Sequence, residues 1–187
     1  EKKEDNSVDI IYQISPISPK YTKQINIVGN NRTFDYVIRR ELSIVEGDAI
    51  FPNQIDNIRD KINSLNLFKS IIIKEESIDD NTVNLIIEVE EKQTGTFNAG
   101  VSVGTLDGFA IVTGLRERNF YGTGRSLDVL VNTSEDNNQF KLITTDRLSY
   151  ENDIDVSYSI NYRQQDFSKA SSYKLDTFTS GIGLGYQ

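Results

Sequence analysis

The sequence predicts an α+β domain of β-α-α-β-β order followed by about six antiparallel strands of the kind that build a transmembrane β-barrel. Three observations predict it. Before Glu91, apolar residues recur at both helical and strand spacing. After Thr94 the helical period disappears, leaving alternation in the runs TGTFNAGVSVG, DGFAIVTGLRERNF, RSLDVLVNTS, QFKLITTD, NDIDVSYSINYRQQ and KLDTFTSGIGLGYQ. Each run approaches the roughly 9–11 residues that a tilted membrane-crossing strand needs. Twelve of the 18 Phe and Tyr residues also lie in this second part.

Ser7 to Ile14 alternates like a strand, and Ser15-Pro16-Ile17-Ser18-Pro19 breaks it, because proline supplies no ladder donor. Residues 1–19 therefore read as the last strand of a preceding unit plus a linker. Tyr21–Val28 opens the next unit, which runs over residues 20–92. Gly29-Asn30-Asn31 turns the chain, and Thr33 is the expected N-cap of a first helix, with Asp35 in its first turn. Phe34, Val37, Ile38 and Leu42 form its apolar stripe. Glu46-Gly47-Asp48 ends that element, and Pro52 suits the first turn of a second helix carrying Ile55, Ile58, Ile62 and Leu65. Lys69–Glu75 and the alternating Val83, Leu85, Ile87 and Val89 read as strands joined by a turn at Asp79-Asp80-Asn81. Both helices are expected to cover one face of the sheet.

Residues 93–187 contain strands and turns. Asp107-Gly108, Glu135 to Asn138 and Glu151-Asn152-Asp153 carry turn chemistry. Ile154, Val156, Tyr158, Ile160 and Tyr162 face one way, suited to lipid, while Asp155, Ser157, Ser159, Asn161 and Arg163 face a wet interior. A soluble β-rich binding protein with an α+β adaptor would alternate in the same way, but it would have no lipid-facing belt. Barrels of bacterial outer membranes have at least about eight strands, so these strands alone cannot close one.

Composition narrows the function. Hydrophobic residues make up 37% and charged residues 26% of the 187, with a net charge of −8. The acidic pI of about 4.6 argues against a nucleic-acid binder, which needs a basic face. No run approaches the roughly 18 apolar residues of a membrane helix, which leaves a barrel open. The chain has neither Cys nor His, so it lacks thiolate chemistry and the commonest general base and metal ligand. No catalytic residue, metal site or cofactor is expected.

Gly122-Thr123-Gly124 and Gly181 to Gly185 resemble phosphate cradles, but neither lies between a strand and a helix; they read as a tight turn and a small-residue strand face. Asp79-Asp80 and Glu135-Asp136 lack calcium-loop spacing and read as solvated loops. Glu41 is less ordinary. On a helical wheel it falls inside the first helix's apolar stripe, near the C-terminal end where a carboxylate is disfavoured. Either the helix stops at Arg40 and Glu41 turns outward or pairs within the domain, or the charge is held for a partner.

The segments IVGNNRTFDYVIRRELSIVEGDAI and NSLNLFKSIII resemble the POTRA domain of the BamA family of outer-membrane assembly factors. The matching features are Gly29-Asn30, Arg39-Arg40-Glu41, Glu46-Gly47-Asp48, and Leu65 with Phe68. EVEEKQTGTFNAGVSVGTLDG resembles the passage from the last POTRA domain into the first barrel strand, and RERNFYGTG the hairpin between strands two and three. Asp146 to Tyr150 departs from the family's Pro-aromatic turn. The resemblance implies a non-enzymatic factor in the outer membrane, with its POTRA part in the periplasm. It implies partners: unfolded outer-membrane proteins, periplasmic lipoproteins of the assembly machinery, and lipid. It also implies that Thr96, Phe97, Asn98, Ala99, Gly100, Val101, Ser102 and Val103 form a gate strand whose edge pairs with clients. Arg40 and Glu41 would serve lipoprotein docking. A polypeptide-transport barrel of the same superfamily would share these features.

Overall fold

A computed structural model of the chain describes residues 19–104, 108–148 and 154–186. The strand expected at Ser7–Ile14, nearly all of the linker after it, Asp107 and the turn at Glu151-Asn152-Asp153 lie outside the described residues.

The first body is a four-stranded sheet with two helices on one face. Its elements are β1 (Lys20–Val28), α1 (Asp35–Arg39), β2 (Ala49–Ile50), α2 (Pro52–Ser64), β3 (Phe68–Ser77) and β4 (Thr82–Glu91), and the sheet order is β2-β1-β4-β3. β1 runs parallel to β4, while β2 and β3 pair antiparallel with their neighbours. Alternation along β4 drives the packing: Val83, Leu85, Ile87 and Val89 are buried against Ile25, Val37, Ile38, Ile58 and Ile62. The β3–β4 turn is held by the Asn81 N–H donating to Asp79 Oδ1 at 3.0 Å, an Asx turn. α2 begins as its sequence predicts, with Pro52 in the first turn and the Phe51 N–H donating to Gln54 Oε1 at 2.9 Å.

Two details differ from the sequence reading. β2 is an added strand of two residues, too short for alternation to reveal. The N-cap of α1 is Phe34, not Thr33, and the helix ends at Arg39. Thr33 is drawn away from capping because its N–H donates to Glu91 Oε1 at 2.7 Å and its hydroxyl accepts from Asn119 Nδ2 at 2.8 Å. A five-residue helix is marginal by propensity, so burial of Val37 and Ile38 holds α1.

The second body is a six-stranded antiparallel sheet in simple meander order, β10-β9-β8-β7-β6-β5. The strands are β5 (Gly95–Gly104), β6 (Gly108–Glu117), β7 (Ser126–Ser134), β8 (Asn137–Leu148), β9 (Ile154–Asp166) and β10 (Lys174–Tyr186). A 3-10 turn at Phe120–Gly122 joins β6 to β7, and a short helix α3 (Ser168–Ser171) joins β9 to β10. Register runs unbroken across the sheet, so side chains fall into rows. Ala99, Thr113, Val131, Phe140, Tyr162 and Phe178 share one row and one face. Asn98, Gly114, Leu130, Lys141, Asn161 and Thr179 share a row on the other. The first face is a continuous apolar belt left open, with Phe97, Val131, Phe140, Ile160, Tyr162, Phe178 and Ile182 all exposed. A soluble β-rich protein would have to cover a patch of that size; a barrel wall turns it to lipid.

Candidate functional site

β5 is the edge of the sheet. It pairs with β6 from Gly95↔Glu117 to Gly104↔Gly108, and its other side has no partner strand among the described residues. In an antiparallel ladder alternate residues bond to each side, so half of the N–H and C=O groups of β5 face away from β6. Every residue of β5 is exposed. Phe97, Ala99, Val101 and Val103 lie on the apolar face, with Val101 71% exposed; Thr96, Asn98, Gly100 and Ser102 lie on the polar face. A methyl group at Gly100 would meet open space, so nothing in the surroundings of this residue requires glycine.

The root of β5 is packed against the α+β domain. Asn119, 5% exposed, sits in the turn after β6. Its Nδ2 donates to Thr33 Oγ1 at 2.8 Å, and its Oδ1 accepts from the Gly124 N–H at 2.8 Å. The Asn119 N–H donates to Glu117 Oε1 at 2.9 Å, and the Thr94 hydroxyl donates to the same oxygen. Phe34 N–H, at the start of α1, donates to the Gly122 carbonyl at 2.9 Å. This approach explains the glycine: Gly122 has φ +77°, and a Cβ there would lie 2.0 Å from the Arg32 carbonyl oxygen. Gly124, at φ +72°, would place a Cβ 2.8 Å from Val37 Cγ1. The two glycines thus form a tight turn on which α1 rests.

Beside them, Glu91 accepts from the N–H groups of Thr33 and Arg32, at 2.7 and 3.0 Å. Burial opposes ionisation of this carboxyl, but hydrogen bonds from the Thr33 side chain and from the Thr33 and Arg32 N–H groups outweigh it and hold the group below its ordinary value of 4.5.

Arg40 and Glu41 fall at the same junction. Arg40 is the C-cap of α1, so Glu41 lies beyond the helix. Glu41 is only 7% exposed, and its Oε1 is 3.5 Å from Arg40 Nε. Arg40 Nη1 is 3.8 Å from Asp146 Oδ1 on β8, and Asp146 Oδ2 accepts from Arg125 Nε at 2.7 Å. The structure therefore brings Arg40 and Glu41 together with the sheet and keeps them apart from the free edge of β5.

Periodicity did not point to Asn119, Glu117, Thr94 or Asp146. The available signal was the Asn-aromatic-aromatic-Gly-Thr-Gly string itself, since two glycines one residue apart mark a backbone that must turn sharply or be approached closely.

Comparison with known proteins agrees with this architecture. The POTRA family, described as a surface antigen variable number repeat, matches residues 20–92, and the Omp85 superfamily domain matches residues 119–187. The outer membrane protein assembly factor BamA of Neorickettsia risticii is 28% identical over 179 residues, covering 96% of this chain and 24% of that protein. The BamA of Neisseria meningitidis serogroup B is 25% identical over 187 residues, covering 97% and 24%. The chain thus spans about a quarter of the length of these relatives. The crystal structure of Haemophilus ducreyi BamA lacking POTRA domains 1–3 superposes with a TM-score of 0.74 at 25% identity, covering 88% of this chain and 32% of that one. CdiB from Acinetobacter baumannii shares the fold, with a TM-score of 0.60 at 16% identity over 89% of this chain and 34% of its own. The protein is an outer-membrane protein whose POTRA part is periplasmic. With a POTRA match followed in the chain by a match to the Omp85 superfamily domain, nearly the whole chain is similar to BamA proteins.

Proposed function

We propose that the full-length protein receives unfolded outer-membrane proteins and templates their folding and insertion along β5. On this reading residues 20–92 are the final POTRA domain, residues 93–187 the first part of the barrel, and residues 1–19 the end of a preceding POTRA domain with its linker. The observation that carries the proposal is the place of β5, the first strand of the meander, which begins directly after the periplasmic domain and pairs with β6 on one side only among the described residues. Backbone N–H and C=O groups left unpaired at membrane depth cost several kcal/mol each, so wherever the first strand of the barrel parts from its closing neighbour it strongly favours an incoming strand. Pairing of this kind uses backbone groups common to every client, which suits a broad range of substrates. No covalent step and no cofactor are needed. The outer edge of the periplasmic sheet, β3, supports a second role: holding extended clients by strand addition before they reach the membrane.

Arg40 and Glu41 are assigned to docking of a periplasmic lipoprotein. Because Glu41 is buried, the pair would act by fixing the surface at the end of α1, with Arg40 nearer the rim.

The test is disulfide trapping between single cysteines placed along Phe97 to Val103 and cysteines along the terminal strand of a stalled client. The 187 residues contain no Cys, so their background is zero. Crosslinks are expected in one register that steps together along both strands. Crosslinks confined to polar-face positions, with no register, would favour passage of a client through a transport barrel. No crosslink at all would make β5 an ordinary wall strand.

A further inference from the structure

Thr33, Thr94 and Asn119 are polar and all buried, at 2%, 5% and 5% exposure. Buried polar side chains need partners, and these find theirs in one network. Its first arm holds the POTRA domain: Asn119 Nδ2 donates to Thr33 Oγ1 just before α1, and Glu91 accepts from the Thr33 N–H. Its second arm holds β5: Glu117 Oε1 accepts from both the Asn119 N–H and the Thr94 hydroxyl, and Thr94 immediately precedes the strand. The Glu117 carboxylate is also packed against the first residue of β5, because a Cβ on Gly95 would lie 3.0 Å from Glu117 Oε2. Only Lys92, Gln93 and Thr94 separate β4 from β5, and the Lys92 N–H is itself tied to the Leu67 carbonyl at 3.0 Å.

A buried network that is fully satisfied has one low-energy arrangement, and a half-satisfied one is worse than none. The POTRA domain therefore cannot change its angle against the barrel while β5 stays in place, unless the network opens. We infer that Glu117 and Asn119 are positioning residues that couple the orientation of the POTRA domain to the root of β5. Movement of the POTRA domain by a docked partner is transmitted to the edge through Thr33, Asn119, Glu117 and Thr94. The inference rests on β5 being the client-pairing edge, and it adds the means by which periplasmic events set the position of that edge.

The experiment measures spin-label distances in the full-length protein, freed of other cysteines and held in lipid nanodiscs. Labels go on Asp56→Cys in α2 and Val103→Cys at the far end of β5. The background protein is expected to give one narrow distance. Asn119→Ala and Thr33→Val should each broaden or split it, and the double variant should broaden it no further, since both open the same network. Thr33→Ser keeps the hydroxyl and should restore the narrow distance, as should Glu117→Gln, whose amide oxygen still accepts both bonds. In client trapping, Asn119→Ala should scatter the crosslink register. A distance that stays narrow in Asn119→Ala, or one that broadens equally in Thr33→Ser, overturns the inference. Broadened distances with an unchanged crosslink register would overturn the coupling to the edge. The distances need no client, so an unmodified protein that fails to trap clients removes the templating role alone.

Discussion

Glu41 owes its place to burial. Its position inside an apolar stripe is awkward for a solvated carboxylate, and the short helix resolves this by ending at Arg39 and turning Glu41 inward beside Arg40. Glu41→Lys would set two cations side by side in a site nearly closed to water. Breaking a buried pair from one side costs about 3–5 kcal/mol, and the partial exposure of Arg40 puts this case toward the lower end. Thermal unfolding of the POTRA-barrel protein should fall clearly for Glu41→Lys and less for Glu41→Gln. Unchanged unfolding with lost lipoprotein binding would instead mean that the partner contacts the carboxylate directly. Gly122 offers a backbone counterpart. Gly122→Ala requires a left-handed alanine whose Cβ overlaps the Arg32 carbonyl, so the turn must retreat from α1. The Phe34 amide, which donates to the Gly122 carbonyl, should then exchange with deuterium much faster than in the unsubstituted protein. An unchanged rate would mean the turn can move without releasing the helix.

The strands obey a depth rule that their sequence does not state. Val156 sits opposite Asp146, and Asp146 reaches Arg40 of the periplasmic domain, so Val156 lies at the periplasmic rim. Ile160 is midway along β9, in the row of Phe97, Leu115, Val129 and Leu142. Arginine on the lipid face costs roughly 2–4 kcal/mol at the midplane and about 0–1 near the interface. In a membrane-folding assay of the full-length protein, Ile160→Arg should therefore be the costliest change. Val156→Arg should cost far less, as should Asn161→Arg, which faces the interior. Equal costs at Ile160 and Asn161 would reverse the assignment of faces.

Beside the junction of the two bodies, the first body holds chemistry that responds to acid. Because hydrogen bonding lowers the folded pKa of Glu91, its contribution to stability is fully present above the ordinary value of 4.5 and is lost as pH falls through the lower folded value. Unfolding midpoints measured from neutral pH downward should drop below that value for the unsubstituted protein. Glu91→Gln should start lower and lose less over the same range, because it has no charge to lose there. Parallel curves would mean that Glu91 titrates alike in both states. At this scale the POTRA domain and the sheet act as one unit: strand β4 leads into β5 within a few residues, and the Glu91 contacts sit beside the network that Glu117 completes.

Alternation is a local property, and where one face meets lipid or a core it survives in the sequence unchanged. That is why Val83 to Val89, Ile154 to Tyr162 and the apolar positions of Phe97 to Val103 are all legible in the sequence, along with the order of the two bodies. The length of α1, the burial of Glu41 and the role of Thr33 could not. Thr33 has the chemistry of a helix cap, and its neighbours supply the right pattern for one. Its partner Asn119 is 86 residues away, and only the closing of the sheet against the domain brings the two together. A side chain takes the best hydrogen bond available in three dimensions, and periodicity along the chain carries no record of a partner so distant.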